Sequence, residues 1–210
     1  MRDFMILLGR DWGKYWAERK INWEKDYTST WTHPHRQLIC AVLKGITWKS
    51  LIEIGCGSGA NLVKIVNTFK GIQVGGIDIN PDAIAAAQKI FSNAILKVGS
   101  GEDIFLSDDA SDILLTDRTL IYVPPRKIHT YIKELKRVGR DWIILCEFHE
   151  RNWYKRLKLR LNTGYYAYDY PKLLQKHGFY DIVLYPIPEK LWPGDTYPSF
   201  IVKARIPRRK

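Results

Sequence analysis

The chain has no long apolar run and few cysteines. No stretch approaches the roughly 18 apolar residues that a membrane-spanning helix needs, and the apolar run after Met1 is too short for a signal peptide. The three cysteines, Cys40, Cys56 and Cys146, are widely separated and lack metal-ligand spacing. Such cysteine usage is typical of a reducing compartment. We therefore predict a cytoplasmic protein with no membrane partner, no disulfide framework and no metal site.

Acidic residues are scarce relative to basic ones. The chain has 33 Lys and Arg residues against 22 Asp and Glu residues, and its formal net charge is +11. This charge indicates an anionic partner, substrate or surface. The length of 210 residues suits one domain with a substantial core. A hydrophobic fraction of 46% excludes general disorder.

The most informative segment joins an apolar strand to three alternating glycines. Residues 51–54 predict a buried strand, and the glycines of residues 55–59 allow positive φ angles and a close approach of backbone to ligand. Residues 60–69 predict a helix with apolar side chains on one side. Free N–H groups at such a helix start point at whatever lies above the sheet. The segment therefore predicts a site for a small ligand.

A second predicted strand narrows the choice of ligand. Residues 71–79 are apolar and glycine-rich, and Asp78 near their end comes 23 residues after Gly55. In βαβ units an acidic side chain about 20 residues after the first glycine binds ribose hydroxyls. Residues 80–82, Asn-Pro-Asp, then predict a helix start. These features together predict a nucleoside pocket.

Four segments resemble the motifs of class I S-adenosylmethionine-dependent methyltransferases, over roughly residues 35–205. Residues 53–59 match the first motif, an acid, a spacer and alternating glycines, at every position. Residues 76–81 resemble the second motif, and residues 98–103 resemble the loop that faces adenine, with Ser100 where many members have aspartate. The fourth resembling segment is the strand of residues 111–117, whose end faces the methyl group in that family.

The resemblance implies S-adenosylmethionine as cofactor and a set of residues that bind it. These are Glu53, Gly55, Cys56, Gly57, Gly59, Asp78, Ile79, Ser100, Gly101, Glu102 and Thr116. If the acceptor is a hydroxyl or a protonated amine, a base is also needed. Its candidates at strand ends are Asp117, Tyr122, Glu147 and His149. Asp117 could equally pair with Arg118, and Tyr122 could simply pack beside the cofactor.

The order of the remaining elements predicts an α/β fold. We expect a single doubly wound, mostly parallel seven-stranded sheet of the class I methyltransferase type, with an antiparallel last strand. The later predicted strands are residues 94–98, 112–116, 142–148, 181–185 and 199–205. Predicted helices start at residues 124–125 and 170. Residues 1–36 are predicted to form an N-terminal helical, aromatic cap, and residues 37–210 the Rossmann-like domain.

The cap has two interpretations. Its aromatic residues are too dense for a linker: Trp12, Tyr15, Trp16, Trp23, Tyr27 and Trp31. They could form a lid over cofactor and acceptor, with residues 33–36, His-Pro-His-Arg, near the methionine end. Alternatively, they could pack a helix onto the domain, with the two histidines bonded locally.

The sequence is compatible with several acceptors and with other functions. The favoured acceptor is a small or nucleotide-linked molecule, and the protein is expected to be a monomer or homodimer. The basic and aromatic segment 151–168 could bind RNA, which would make the protein a tRNA or rRNA methyltransferase. An NAD(P)-linked reductase is a further alternative, because Tyr154 and Lys158 have the Tyr-x-x-x-Lys spacing of short-chain dehydrogenases. A non-catalytic nucleoside-binding protein is another.

Overall fold

A computed structural model describes residues 11–191 and 197–208. The helices in this part of the chain are α1 (Trp12–Ala17), α2 (Trp23–Asp26), α3 (His35–Lys44), α4 (Ala60–Thr68), α5 (Pro81–Ile90), α6 (Pro125–Val138), α7 (Trp153–Thr163) and α8 (Tyr170–Lys176), with short 3-10 turns at Thr28–Thr32, Leu120–Tyr122 and Glu189–Leu191. The strands are β1 (Ser50–Ile54), β2 (Gln73–Asp78), β3 (Ile95–Val98), β4 (Ser111–Asp117), β5 (Gly139–Phe148), β6 (Tyr180–Pro186) and β7 (Ser199–Arg205).

The strands form one seven-stranded sheet in the order β3-β2-β1-β4-β5-β7-β6. The first five strands pair in parallel, whereas β7 is antiparallel to both β5 and β6. This is the class I methyltransferase topology, and it confirms the predicted α/β class with an antiparallel last strand. Parallel strands joined by helices place their carboxyl ends along one edge, where such folds bind ligands.

Both faces of the sheet are buried, which explains the continuous apolar runs in its central strands. On one face Leu114 of β4 packs in a cluster with Ile128 and Ile132 of α6. On the other face Leu115 packs in a cluster with Leu62 of α4. Because side chains alternate along a strand, Thr116 and Asp117 at the end of β4 must point to opposite faces.

The N-terminal segment is bound to the edge of the sheet that carries the strand ends. Trp23 packs with Ala83 and Ala86 of α5. The side-chain amide of Asn80 donates to the backbone oxygens of Trp16 at 2.7 Å and Arg19 at 2.9 Å. Helix α3 spans the predicted boundary at residue 36, so the division into cap and domain stays a prediction.

In residues 11–191 and 197–208, no helix is long and apolar enough to cross a membrane.

Candidate functional site

The glycine turn between β1 and α4 has the backbone that its sequence predicts. Gly55, Gly57 and Gly59 have φ angles of 78°, 53° and 86°, a region that residues with a Cβ seldom adopt. A Cβ on Gly55 would lie 2.1 Å from Oγ1 of Thr119. A Cβ on Gly57 would lie 3.8 Å from the rings of both Trp23 and Tyr27. The turn therefore leaves its backbone directly beneath aromatic side chains.

Asp78 at the end of β2 is tied to this turn. Its Oδ2 accepts a hydrogen bond from the Gly57 N–H at 2.7 Å, and its Oδ1 accepts one from the Asn80 N–H at 2.8 Å. Burial raises the pKa of the Asp78 carboxyl, and the backbone donors oppose that shift. Asp78 lies in the wall of the pocket beside Ile79, and its contact with ribose hydroxyls stays a prediction.

The pocket is a cavity of about 450 Å³ above the strand ends, within the volume range of small-molecule sites. The N-terminal segment closes it from above with Trp12, Trp16, Trp23 and Tyr27. We call residues 12–27 the roof. The Ser58 hydroxyl in the glycine turn donates to the Trp23 backbone oxygen at 2.9 Å, so the roof is bonded to the floor.

Two carboxylates are buried in the floor of the pocket. Glu53 is 1% exposed, and burial raises its pKa well above the usual range. The Asn61 side-chain amide lies between the two acids, 2.6 Å from Oε1 of Glu53 and 2.9 Å from Oδ2 of Asp117. Among the described residues, the second oxygens, Glu53 Oε2 and Asp117 Oδ1, have no hydrogen-bond partner. Two partnerless carboxylate oxygens in one pocket fit a cationic donor group on a ligand.

Asp117 is paired with a histidine from α3. His35 Nε2 lies 2.9 Å from Asp117 Oδ2, and the two side chains are 2% and 6% exposed. Burial alone would raise the pKa of Asp117, but the charge of His35 and its hydrogen bond hold that pKa well below its usual range. The expected alternative partner, Arg118, instead stacks over the Phe148 ring and donates to Ser199 Oγ at 2.6 Å.

Cys146 lies beside this pair. Its Sγ, the Asp117 carboxylate and a His35 ring nitrogen lie within 4.8 Å of one another, which makes them a possible metal-ligand group. Burial raises the pKa of the Cys146 thiol well above its usual value, so it is held as a thiol rather than as the thiolate that binds metals. The predicted absence of a metal site stays a prediction.

The loop after β3 forms the side wall. Ser100, Gly101 and Glu102 all line the pocket. A Cβ on Gly101 would lie 2.3 Å from the Tyr131 ring of α6, so the loop packs directly on that ring. The Lys127 ammonium lies 2.7 Å from Oε1 of Glu102, which fixes the carboxylate at the pocket edge.

The structure divides the four candidate catalytic residues into two pairs. Asp117 and Tyr122 line the pocket, whereas Glu147 and His149 are not among its lining residues. Tyr122 contacts the Trp12 and Trp16 rings of the roof, and burial raises its pKa, which makes its hydroxyl a poor base at neutral pH.

Glu147 lies below the pocket, where one of its carboxylate oxygens accepts three hydrogen bonds. Oε1 accepts from Thr116 Oγ1 at 2.8 Å and from the N–H groups of Thr119 and Leu120 at 3.1 and 3.0 Å. Burial raises its pKa to about 7. Glu147 thus holds the loop after β4. His149 Nδ1 lies 3.1 Å from the Tyr168 backbone oxygen, away from the pocket.

Most of the predicted cofactor residues line the pocket, and two do not. Those that do are Glu53, Gly55, Cys56, Gly57, Asp78, Ile79, Ser100, Gly101 and Glu102. Gly59 instead packs against Phe91 of α5, and Thr116 bonds Glu147 on the other face of the sheet. Sequence reasoning missed Asn61 and Tyr131, since nothing in a helix sequence shows which polar side chain will reach a strand end.

A protein-family profile described as a methyltransferase domain matches residues 51–141. A curated relative, the O-methyltransferase resE of Aspergillus sclerotiorum, is 26% identical over 106 residues, which are 48% of this chain and 39% of that protein. The match thus spans well under half of the relative's length.

Two solved structures have the same fold. The PH0226 protein of Pyrococcus horikoshii has a TM-score of 0.65 at 15% identity, with 87% of this chain and 92% of that chain covered. Magnesium protoporphyrin IX methyltransferase of Synechocystis, with bound S-adenosylmethionine, has a TM-score of 0.62 at 17% identity, with 94% and 90% covered. Residues 51–141 of this chain thus match a methyltransferase domain, and the chain has the fold of a methyltransferase that binds S-adenosylmethionine.

Proposed function

We propose that the protein transfers a methyl group from S-adenosylmethionine to an oxygen of a small anionic acceptor, with nitrogen as the less favoured atom. The observation that carries this proposal is the roofed pocket in which the glycine turn, Asp78 and two buried carboxylates converge. When bound, S-adenosylmethionine supplies a methyl group on a sulfonium, which is an activated electrophile. The protein must therefore bind the cofactor and the acceptor, align them and exclude water. It does not have to form a covalent intermediate.

Each part of the pocket suits one part of the cofactor. The Asp78 carboxylate would hold the ribose hydroxyls, and the loop of Ser100 to Glu102 would lie along the adenine. The partnerless oxygens of Glu53 and Asp117 would bind the methionine ammonium. Arg36 lines the same pocket, and its Nε has no hydrogen-bond partner among the described residues. It would bind the methionine carboxylate.

An anionic acceptor is supported by the positive side chains in the pocket wall. Arg118 and Arg126 both line it. Arg126 is exposed, and no salt bridge pairs it with an acid anywhere in residues 11–191 or 197–208. A guanidinium with no acidic partner at a pocket rim suits a carboxylate or phosphate on the incoming molecule.

The choice of oxygen follows from the weakness of the available base. The lowered pKa of Asp117 makes its carboxylate a weak proton acceptor, and the raised pKa of Tyr122 keeps its hydroxyl protonated. An acceptor oxygen that is already ionised at neutral pH, such as a carboxylate or an acidic phenol, needs no stronger base. The O-methyltransferase name of the curated relative agrees with this proposal.

The rival functions fit the structure less well. Tyr154 and Lys158 of the reductase pattern are exposed on α7 and do not line the pocket. A base within an RNA chain would have to pass the roof, which is bonded to Ser58 and Asn80. A cytoplasmic location is also part of the proposal, since all three cysteines are free thiols and buried.

The proposal is tested by following a labelled methyl group from S-adenosylmethionine into a panel of carboxylic acids and phenols, with their amides and ethers as matched non-acceptors. We expect label in the ionisable members, and a raised KM with little change in kcat for Arg126→Gln. Lys133→Gln, an exposed change on α6 outside the pocket, is the control. Label that enters only RNA, or only amines, would contradict the proposal.

A further inference from the structure

Helix α7 presents its apolar side chains to solvent. Trp153 is 68% exposed, Tyr154 61%, Leu157 44% and Leu161 45%. Trp153, Leu157 and Leu161 are spaced by four residues and lie on one side of the helix, and Tyr154, three residues before Leu157, joins the same side. We call these four side chains the α7 arc.

The side of the same helix that faces the protein has few buried side chains. Leu159 is the one α7 residue that is buried, and it packs with Ile121, Phe148 and Ala167. Helix α6 shows the usual arrangement, because its apolar residues Ile128 and Ile132 are at most 2% exposed. The orientation of α7 is therefore inverted relative to a helix that packs its apolar stripe on the core.

Basic residues border the α7 arc. The helix sequence, residues 153–163, contains no acid, and its exposed lysines Lys155 and Lys158 form no salt bridge with any described residue. Arg151, just before the helix, is 82% exposed in its side chain and lies 4.0 Å from Asp169. The surface thus combines an exposed apolar strip with the charges of Lys155 and Lys158, which no acid among the described residues pairs.

The far end of α7 adjoins the pocket roof. Gly164, which ends the helix, accepts hydrogen bonds at its backbone oxygen from Trp12 Nε1 at 2.9 Å and from Arg160 at 2.6 Å. The Trp12 ring also contacts the rings of Tyr165 and Tyr122 at tilted angles. A partner held on α7 would therefore lie next to the roof and to the wall residue Tyr122.

We propose that the α7 arc docks the protein on the surface of a bilayer that contains anionic lipid. Interfacial helices have Trp and Leu side chains on one face and Lys or Arg on the other, and they bind through buried apolar area plus attraction to anionic headgroups. Trp and Tyr favour the headgroup region. This surface contact differs from a membrane span, and it departs from the expectation that the protein has no membrane partner.

A lipid surface suits the arc better than RNA does. Basic and aromatic residues could serve either partner. Leu157 and Leu161, however, form the C-terminal half of the arc, and aliphatic side chains neither stack on bases nor bind phosphates. They gain free energy only where a partner removes them from water.

The test is co-sedimentation of the full chain with vesicles of phosphatidylcholine alone or with added phosphatidylglycerol. We expect binding to the mixed vesicles only, and weaker binding as salt is added. Lys155→Gln with Lys158→Gln should lower the partition coefficient about 30-fold, since each basic residue near such a surface contributes about 1 kcal/mol. Leu157→Asn with Leu161→Asn should lower it by more than about tenfold.

Matched controls use other exposed residues. Lys133→Gln with Lys176→Gln removes equal charge from α6 and α8, and Phe105→Ser removes an apolar side chain that is 83% exposed. Both should bind vesicles like the parent. Calorimetry with S-adenosylhomocysteine on every variant shows that the fold is intact, and it keeps this proposal separate from the methyl-transfer proposal.

Three results would overturn the docking proposal. The first is equal binding of the parent to neutral and mixed vesicles. The second is a loss of vesicle binding in the control variants that equals the loss in the α7 variants. The third is binding of a single-stranded RNA oligonucleotide that the α7 substitutions abolish while vesicle binding is unchanged.

Discussion

The carboxylate of Asp117 and the imidazole of His35 form a buried pair, with 2.9 Å between Oδ2 and Nε2. Asp117 ends the central strand β4, and His35 begins α3, 82 residues earlier. The pair joins helix α3, which precedes β1 and the glycine turn, to the end of β4 in the floor of the pocket. Asp117 Oδ1 is buried and has no hydrogen-bond partner among the described residues, and Asp117 lines the pocket.

His35→Ala should destabilise the fold by about 3–5 kcal/mol, because it leaves a buried carboxylate uncompensated. Denaturant unfolding at neutral pH measures this. The control is His129→Ala, which removes a contact at 2.9 Å with His177 and no carboxylate pair. The control should cost about 0.5–1.5 kcal/mol. Equal losses in the two variants would show that the Asp117 charge plays no special part.

Gly57→Val should abolish binding of S-adenosylhomocysteine. The change strains a backbone at φ 53° and adds a side chain beneath Trp23 and Tyr27. Gly71→Val is the control that separates backbone strain from the added bulk. Gly71 also has a positive φ, 70°, but nothing lies within 4 Å of the added Cβ. Both variants should lose about 1–3 kcal/mol of stability, but only the Gly57 variant should lose affinity. Retained affinity in Gly57→Val would place the pocket elsewhere.

The roof should loosen in Asn80→Asp. The new carboxylate can still accept from the N–H groups of Asp82 and Ala83 at the start of α5, but it cannot donate to the Trp16 and Arg19 oxygens. We expect faster hydrogen exchange in residues 12–27 and weaker S-adenosylhomocysteine binding, by about 1–3 kcal/mol. Asn22→Asp, at an exposed helix start, is the control. Unchanged exchange in Asn80→Asp would mean that the roof is held by packing alone.

Glu147 should make the stability of the protein depend on pH. Its folded pKa of about 7 lies above the ordinary value of 4.5, so the folded state binds more protons than the unfolded state between these values. The free energy of unfolding should therefore fall as pH rises from 4.5 to about 7, by about 3 kcal/mol at most. Glu147→Gln should show a smaller fall, because it lacks the contribution of Glu147, and the exposed change Glu24→Gln should keep the full fall. If the free energy of unfolding depended on pH in Glu147→Gln as it does in the parent, the buried Glu147 would not be a source of that dependence.

Elements with clear apolar patterns and turn residues at their ends were predictable from the sequence. Strand β7 has the predicted bounds, residues 199–205, and β3 begins one residue after the prediction at Ile95. Strand β5 begins at Gly139, three residues before the predicted start, because pairing with Ser111 extends it through residues without an apolar pattern. Such an extension depends on the neighbouring strand, which the local sequence does not contain.

The parts of the site that depend on backbone geometry were predictable from the sequence. The parts that depend on the direction of a side chain were less predictable. Asp78 follows from its spacing to the glycine turn. Thr116 and Asp117 are adjacent in sequence, yet of the two only Asp117 lines the pocket. The local sequence does not indicate which face of a strand will contact a ligand. Leu157, Leu159 and Leu161 of α7 gave no clean helical stripe, because Leu159 points inward and its neighbours outward.

The most direct test of the account is titration calorimetry with S-adenosylhomocysteine and NADH on the parent protein and on Asp78→Ala. The parent protein should bind S-adenosylhomocysteine and not NADH. Loss of the Asp78 carboxylate should cost about 1.5–3 kcal/mol of binding free energy, while Asp82→Ala, which changes a half-exposed acid that does not line the pocket, should change little. Binding of NADH alone, or an unchanged affinity for S-adenosylhomocysteine in Asp78→Ala, would contradict it.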